Sequence, residues 1–464
     1  MFTERAVFFC SKKHWILGSI SLLMFCLGGL LSAQNPVNPN YIHNTAGEFS
    51  ISLAPWGGPG TPPPDVWFEE DKFWASDFTA DQNFGAAVDM DGDVVIVGAP
   101  IINGQGNGAA YIYERSGSLW IQVGKLTPSD GFWGDRFGES VAIQGDVAFV
   151  GAPTSYAVGG KGAAYVFHKP AGGWKNMTQT VKLTAADAAP SDYFGSAIDL
   201  DGAVAVIGMV GDDNPYGNFS CGAAYIFVRE SGSWWEKSKL IASDRTDGDS
   251  LGCSAAISGD YVIVGSDTDS DMGNTAGSAY IYEKPTGGWH SINPLTETIE
   301  IFSGFPTAWD RFGCSVAIEG GRVVVGSQED DVSNWSTGSA YVFERESGTW
   351  KRKARLIAYD LPNAFDFGCS VALSGDWVIV GAKSSDALKN DTGAAYFFEK
   401  PSSGWADMMA TDKVEALDGD YFDQFGCAVS IDGGRAIVGA VYDDDPPGGT
   451  YNPGQAGSVY IFYK

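Results

Sequence analysis

Short runs of apolar residues alternate with polar and glycine-containing turns along most of the chain. The runs VAIQ at 141–144 and VAFVG at 147–151, for example, are separated by a Gly-Asp pair. Two apolar runs joined by such a pair are typical of a β-hairpin. Downstream of the N-terminal segment, no stretch holds apolar residues at the spacing of an amphipathic helix. The pattern therefore predicts an all-β protein.

These strand-like runs recur as a repeat of about 57 residues. A Phe-Gly pair, once replaced by Leu-Gly, marks each repeat, and a glycine that ends an apolar run follows 14 residues later. A run ending in Tyr comes next, and six repeats continue into a Trp-containing run. Four strand-like runs with one glycine and aromatic signature predict a propeller blade. The seven repeats carry this signature at Phe84, Phe137, Phe194, Leu251, Phe312, Phe367 and Phe425.

The two ends of the chain complement each other. The seventh repeat ends at Lys464, directly after its third run, and lacks the Trp-containing run. That run lies at the other end, where Trp67 precedes Phe84 by 17 residues, the spacing found in three other repeats. Closure of the ring removes strand edges that would otherwise be unpaired. We therefore predict a seven-bladed β-propeller of four-stranded antiparallel blades over residues 65–464, with the last blade closed by a strand within 65–76.

The repeated signature resembles the FG-GAP repeat, the unit of integrin α-subunit propellers and of many secreted bacterial proteins. Both halves of the motif are intact in the first two repeats, as Phe84-Gly85 with Gly98-Ala99-Pro100 and as Phe137-Gly138 with Gly151-Ala152-Pro153. In the integrin family an Asp-rich calcium loop often lies between the halves. Here the linking turns, such as Gln144-Gly145-Asp146, are too short, so we do not expect calcium at that place. The resemblance implies the fold more than the function, because propellers serve many tasks.

The N-terminus is typical of an export signal. Residues 1–33 contain two adjacent lysines, an apolar run from Trp15 to Leu31 and a small residue, Ala33, at a cleavage position. An uncleaved membrane anchor is the alternative, because the apolar run could span a bilayer. Residues 34–64 are rich in Pro, Gly and Asn and are predicted to be a linker. We expect a secreted, extracellular or cell-envelope protein whose only membrane contact would be an uncleaved signal.

The chain is strongly acidic, with 57 acidic and 29 basic residues and a formal net charge of −28. Nucleic acid is not an expected partner, because its binding needs clustered Lys and Arg. The acid recurs before each Phe-Gly pair and in the loop between the second and third strands of repeats three to seven. Both kinds of loop leave an up-and-down blade on the same side. The acidic loops are therefore predicted to share one face, where ligands usually bind.

Three aspartates in the fourth repeat are candidate metal ligands. Asp267, Asp269 and Asp271 alternate along the loop, a spacing compatible with Ca²⁺, which is the candidate cofactor. A solvated acidic loop is the ordinary alternative. The other candidate ligand-binding residues of this face are Asp212, Asp213, Tyr216, Asp330, Asp331, Trp335, Asp443, Asp444 and Asp445.

The residue after Phe-Gly is a cysteine in repeats four to seven. A four-thiol metal site is one interpretation, and small residues packed where space is tight is the other. These cysteines are Cys253, Cys314, Cys369 and Cys427.

No catalytic constellation is recognisable in the sequence. We expect a non-enzymatic binding or adhesion scaffold that takes a protein or glycan ligand on its acidic loop face. One alternative is a secreted glycosidase or lyase that uses carboxylates at the channel mouth. The other is a purely structural module of the cell envelope.

Overall fold

The computed structural model describes residues 43–45, 48–50, 66–77, 82–101, 106–155, 158–213, 219–304, 306–332, 335–360, 363–386, 390–444 and 456–464. Trp67–Lys464 forms one compact unit of β-strands. A separate hairpin pairs His43–Thr45 with Glu48–Ser50. Within the part of the chain that the structure describes, no helix is long and apolar enough to cross a membrane. The predicted signal peptide and most of the predicted linker lie outside the described residues.

The compact unit is a seven-bladed β-propeller. Each blade is an antiparallel sheet, and the first strands of neighbouring blades contact one another all round the ring. From first to fourth strand the blades are Ala87–Asp91, Val94–Ala99, Ala109–Ser116 and Leu119–Thr127 (blade 1); Val141–Gln144, Val147–Ala152, Ala163–His168 and Val181–Leu183 (blade 2); Phe194–Asp201, Val204–Met209, Ala223–Glu230 and Ser233–Ile241 (blade 3); Ser254–Ser258, Tyr261–Ser266, Ser278–Glu283 and Ile299–Ile301 (blade 4); Phe312–Glu319, Arg322–Ser327, Ser339–Glu346 and Thr349–Ile357 (blade 5); Phe367–Ser374, Trp377–Ala382, Ala394–Glu399 and Asp412–Val414 (blade 6); and Phe425–Asp432, Arg435–Ala440, Ser458–Tyr463 and Phe68–Phe73 (blade 7).

The ring closes through the N-terminal strand, as the sequence predicts. Phe68–Phe73 pairs antiparallel with Ser458–Tyr463 and forms the fourth strand of blade 7. The preceding Trp67 is only 3% exposed, and its ring stacks on Phe397 of blade 6 with 4.2 Å between centroids. Its backbone N–H donates a 2.8 Å hydrogen bond to Asp412 of the same blade. The predicted fold class and closing strand are both confirmed.

Two kinds of blade alternate along the chain from blade 1 to blade 7, a feature that the sequence reasoning did not foresee. In blades 2, 4 and 6 a Lys-Pro pair follows the third strand, and the fourth strand has three residues. Proline lacks the N–H that a long hairpin would need at this point. Each of these blades also lends a two-residue strand, which pairs parallel with the fourth strand of the preceding blade and gives blades 1, 3 and 5 a fifth strand. These short strands are Met177–Thr178, Leu295–Thr296 and Met408–Met409. One further pair, Asp331–Val332 with Trp335–Ser336, lies in a loop of blade 5.

The two glycines of the repeated motif meet at every blade boundary. A Cβ on Gly98 of blade 1 would lie 2.1 Å from the carbonyl oxygen of Gly138 in blade 2. The same approach occurs between Gly439 of blade 7 and Gly85 of blade 1, and at the five other boundaries. Gly85 also adopts a φ of 91°, which a residue with a side chain rarely takes. Both halves of the motif are therefore glycine because neighbouring backbones touch there.

Apolar side chains fill the space between blades. Seven clusters of buried residues each combine side chains from two neighbouring blades. On the tight-turn side of the ring, a polar side chain near the end of each first strand accepts a hydrogen bond from a glycine N–H of the next blade. The seven acceptors are Asp91, Gln144, Asp201, Ser258, Glu319, Ser374 and Asp432. The circle of blades is thus held both by apolar packing and by polar contacts.

Candidate functional site on the loop face

The loops between second and third strands and the loops between blades lie on one side of the ring, which we call the loop face. Backbone hydrogen bonds join the two kinds of loop directly. The N–H of Trp309 donates to Asn274 at 2.8 Å, and the N–H of Gly248 donates to Phe219 at 3.0 Å. The shared face predicted from blade connectivity is therefore confirmed.

A cluster of Asp, Tyr and a cation recurs on the loop face, and we call it the loop-face cluster. In blade 3, Tyr225 donates to Asp187 at 2.7 Å, and Lys239 donates to Asp187 at 2.8 Å and to Asp212 at 2.7 Å. The ammonium of Lys239 also lies 5.4 Å from the centre of the Tyr225 ring, a cation–π contact. The Asp comes from the turn leading into the blade, the Tyr from its third strand and the cation from its fourth. The turn aspartates that accept from such a Tyr are Asp77, Asp130, Asp187, Asp244, Asp360 and Asp418.

The second recurring aspartate, two residues before the Phe-Gly pair, holds the backbone of its own turn. Asp423 accepts the N–H of Asp420 at 2.6 Å, and Asp249 accepts the N–H of Thr246 at 2.5 Å. Burial raises the pKa of Asp423 to about 7 and that of Asp249 to about 6, and neighbouring carboxylates add to both shifts. Asp135, Asp192 and Asp310 make the same backbone contact. These aspartates are thus structural.

Three of the candidate ligand-binding aspartates are buried among the chain's own partners. Asp212 is 4% exposed and pairs with Lys239 and with Arg245 at 2.6 Å. Asp330 accepts from Arg355 at 2.7 Å and from Tyr341. Asp443 forms an ion pair with Lys72 at 2.7 Å and accepts from Tyr460 at 3.0 Å. They complete loop-face clusters, and their part in ligand binding stays a prediction.

The remaining candidates of this set are less enclosed. Asp213 accepts the backbone N–H of Ser220 at 2.9 Å, and Asp331 accepts from the hydroxyl of Ser336 at 2.8 Å. Burial, and after it the charge of neighbouring carboxylates, raises the pKa of Asp444. Trp335 lies in the two-residue strand of blade 5. Tyr216 and Asp445 lie outside the described residues.

The three candidate metal ligands have different partners. Asp267 forms an ion pair with Arg311 at 2.6 Å, whereas Asp269 accepts from Tyr280 at 2.5 Å and from the N–H of Asp271 at 2.9 Å. Over the described ranges, no three His, Cys, Asp or Glu side chains come together in a way that could hold a metal ion. The proposed calcium site stays a prediction.

The four cysteines after the Phe-Gly pairs are contact points between blades. Each thiol lies 3.4–3.5 Å from the carbonyl oxygen of the Phe-Gly glycine in the next blade. Ser196 donates its hydroxyl to the same kind of carbonyl at 3.0 Å in blade 3. Burial raises the pKa of Cys314 and Cys427 to about 12, so both are thiols at neutral pH. The tight-packing interpretation fits these contacts.

The sequence reasoning expected binding aromatics on the loop face, Phe219 among them, but it did not single out two that the structure exposes, Trp309 and Phe422. Trp309 is 58% exposed and Phe422 is 54% exposed, and each lies three residues before its Phe-Gly pair. Both have a left-handed backbone, with φ of 78° and 69°, and glycines occupy the same position at Gly134 and Gly248. Comparing this position among repeats could have revealed them, because bulky residues replace glycine there. Other exposed aromatics in the described loops of this face include Phe132, Trp133, Tyr193, Phe219, Tyr359, Phe365 and Tyr421.

A family model described as FG-GAP repeat matches the chain seven times, at residues 67–113, 120–167, 177–227, 234–282, 306–343, 350–398 and 409–462. Most matches begin near the fourth strand of one blade and end in the third strand of the next, so the repeat is offset from the blade. No curated protein matches the sequence. The seven matches cover most of the chain, and together with the interlocking motif glycines they show that it belongs to the FG-GAP repeat family.

Proposed function

We propose that this protein is a secreted or surface-exposed, non-enzymatic binding scaffold that holds a protein or glycan ligand on its loop face. The observation that carries the proposal is the set of exposed aromatic side chains on rigid loops. Trp309 and Phe422 are the clearest members, because each keeps a bulky side chain in a backbone conformation suited to glycine. Strain of this kind, about 1–3 kcal/mol for each residue, persists where the surrounding structure enforces it and often marks binding sites.

The loops that carry these side chains are held in place before any ligand arrives. The N–H of Phe422 donates to Asn390 at 3.2 Å, as the N–H of Trp309 donates to Asn274. An aromatic ring on such a loop loses little conformational entropy when it is covered. Aromatic faces stack on sugar rings and anchor protein partners, so the arrangement suits either ligand class.

Two carboxylates on the first strands of blades 1 and 3 hold the backbone of the next blade. Asp89 accepts the backbone N–H of Ile143 at 2.8 Å, and Asp199 accepts that of Ile257 at 2.7 Å, each in the next blade. Burial raises their pKa values to about 6 and about 7. Because both carboxylates already join neighbouring blades, we assign neither a catalytic role.

The test is a screen of the full chain on glycan and peptide arrays, followed by titration of the strongest ligand. We expect the double variant Trp309→Ala, Phe422→Ala to bind about tenfold more weakly than the wild type. The matched control is Leu119→Ala, Ile121→Ala, which removes two exposed apolar side chains from the fourth strand of blade 1. Equal affinity of the two double variants would contradict a binding role for these aromatics.

A further inference from the structure

Blade 4 differs from its six sister blades at one position of the loop-face cluster. The residue paired across the strands with the cluster tyrosine is Lys239 opposite Tyr225 in blade 3, but it is Glu300 opposite Tyr280 in blade 4. In the other blades this position is also a cation, namely Lys125, Lys182, Arg355, Lys413 and Lys72. The charge of the fourth-strand residue is therefore reversed in blade 4 alone.

The rest of the cluster is intact in blade 4. The hydroxyl of Tyr280 lies within hydrogen-bond distance of two carboxylates, 2.5 Å from Asp269 and 3.2 Å from Asp244. Glu300 accepts from the hydroxyl of Ser278 at 2.9 Å. Within the described ranges no Lys or Arg forms an ion pair with these three acids. Burial, and after it the charge of neighbouring carboxylates, raises the pKa of Asp244. The same causes raise the pKa of Glu300, although the hydrogen bond from Ser278 lowers it in part.

Blade 7 shows what the same groups do when a cation is present. There the ammonium of Lys72 lies 2.7 Å from Asp418 and 2.7 Å from Asp443, and 4.9 Å from the centre of the Tyr460 ring. Asp418 corresponds to Asp244 of blade 4, and Asp443 corresponds to Asp269. The sister blades thus supply an independent template in which these positions hold an organic cation.

We propose that the loop-face cluster of blade 4 binds the ammonium or guanidinium group of a lysine or arginine from a basic segment of a protein partner. The partner's side chain takes the place that the chain's own lysine takes elsewhere in the ring. This inference rests on the proposed function, and it names the partner as a basic protein.

The surroundings of the cluster suit a basic segment. Asp271 and Met272 are exposed in the adjoining loop. The next residue, Gly273, lies close to the loop that carries Trp309, because a Cβ on Gly273 would be 3.5 Å from the backbone nitrogen of Ala308. The exposed indole of Trp309, on the neighbouring loop, can hold a further cationic side chain through its ring face. An organic cation fits better than a metal ion, because the described acids do not converge as three metal ligands.

The experiment compares Glu300→Lys with Glu283→Lys in the full chain. Both variants change the net charge equally and lie in blade 4, but Glu283 is on the tight-turn side, where it pairs with Arg345. The probe is fluorescent hexalysine at physiological ionic strength and neutral pH. We expect Glu300→Lys to bind it about tenfold more weakly than the wild type, because the new ammonium fills the cluster from within. We expect Glu283→Lys to change the affinity by less than about twofold.

A second readout does not depend on any partner. Glu300→Lys should melt at a higher temperature than the wild type at neutral pH, and this gain should shrink in acid as the carboxylates are protonated. Equal hexalysine affinity of the two variants overturns the proposal, as does wild-type binding of Ca²⁺ but not hexalysine. If Trp309→Ala, Phe422→Ala binds the array ligand as tightly as its control while the wild type still binds hexalysine, the aromatic site is contradicted and the cation site is not. The two failures are therefore distinguishable.

Discussion

At the scale of single residues, the fold depends on backbone contacts that only glycine permits. Gly326 of blade 5 would place a Cβ 1.9 Å from the carbonyl oxygen of Gly368 in blade 6. This atom belongs to the backbone and cannot rotate away, so any side chain would force the blades apart. Each repeat therefore carries one glycine for the boundary before it and one for the boundary after it.

We expect Gly326→Ala to destabilise the protein by about 2–4 kcal/mol, because the added methyl group overpacks a blade boundary. Gly434→Ala is the matched control, since a Cβ there meets no atom within 4 Å and the residue has no positive φ. The control should change the free energy of unfolding by less than about 0.5 kcal/mol. Urea denaturation of both variants measures the difference, and similar midpoints would refute the contact as the reason for the motif.

At the scale of strands, the N-terminal strand completes the last blade. Phe68–Phe73 supplies the edge partner of Ser458–Tyr463, while Trp67 fills the boundary between blades 6 and 7. The first and last strands of the propeller therefore meet in one sheet. Because the closing strand and its partner are far apart in sequence, this pairing forms at a high loop-closure cost and depends on the packing around it.

Replacing Trp67 with alanine tests the closure directly. The ring of Trp67 is buried against Phe397 and Trp377, so we expect a loss of about 3–5 kcal/mol in the free energy of unfolding. Trp235→Ala is the control, because Trp235 also lies in a fourth strand but is 56% exposed. A melting temperature of Trp67→Ala as high as that of the control would contradict closure by this strand.

At the scale of the whole molecule, the acidic charge is divided between paired and unpaired carboxylates. Asp77, Asp130 and Asp187 lie beside lysines, and hydrogen bonds and charge attraction outweigh burial and lower their pKa values. At Asp199 and Asp423 burial outweighs the backbone hydrogen bonds that they accept, and it raises the pKa of each to about 7 from an ordinary 3.8. The two groups oppose each other in the pH dependence of stability.

The signs predict greatest stability in mild acid. A carboxyl group with a raised folded-state pKa contributes stability below its unfolded pKa and loses it as the pH rises through 6 to 7. A carboxyl group with a lowered pKa contributes stability above about pH 4 and loses it as the pH falls further. We therefore expect the melting temperature to be highest near about pH 5 and to fall toward about pH 8. Asp423→Asn should flatten that fall, and a melting temperature that rises from pH 5 to pH 8 would contradict the assignment.

Sequence reasoning reached the architecture and missed much of the site. The spacing from Trp67 to Phe84 was enough to place the closing strand, because it repeats a distance found elsewhere in the chain. The role of Asp212 could not be seen in the same way, because its partner Lys239 lies across the blade in a register that spacing does not reveal. The exceptional Glu300 was overlooked, although it lies 12 residues before Phe312, the distance at which the other repeats carry a Lys or Arg. Its importance became visible only through its pairing with Tyr280 across the strands.

The sequence alone determined the repeat, the number of blades and the closing strand, because each follows from local patterns and from spacings that recur along the chain. Only the tertiary structure decided which aspartates are paired with cations and which are left without one. Charge pairing depends on distances of a few ångströms between strands that are far apart in sequence. In this protein that difference separates the six loop-face clusters that contain a cation of the chain from the cluster in blade 4. We propose that this last cluster takes its cation from a partner.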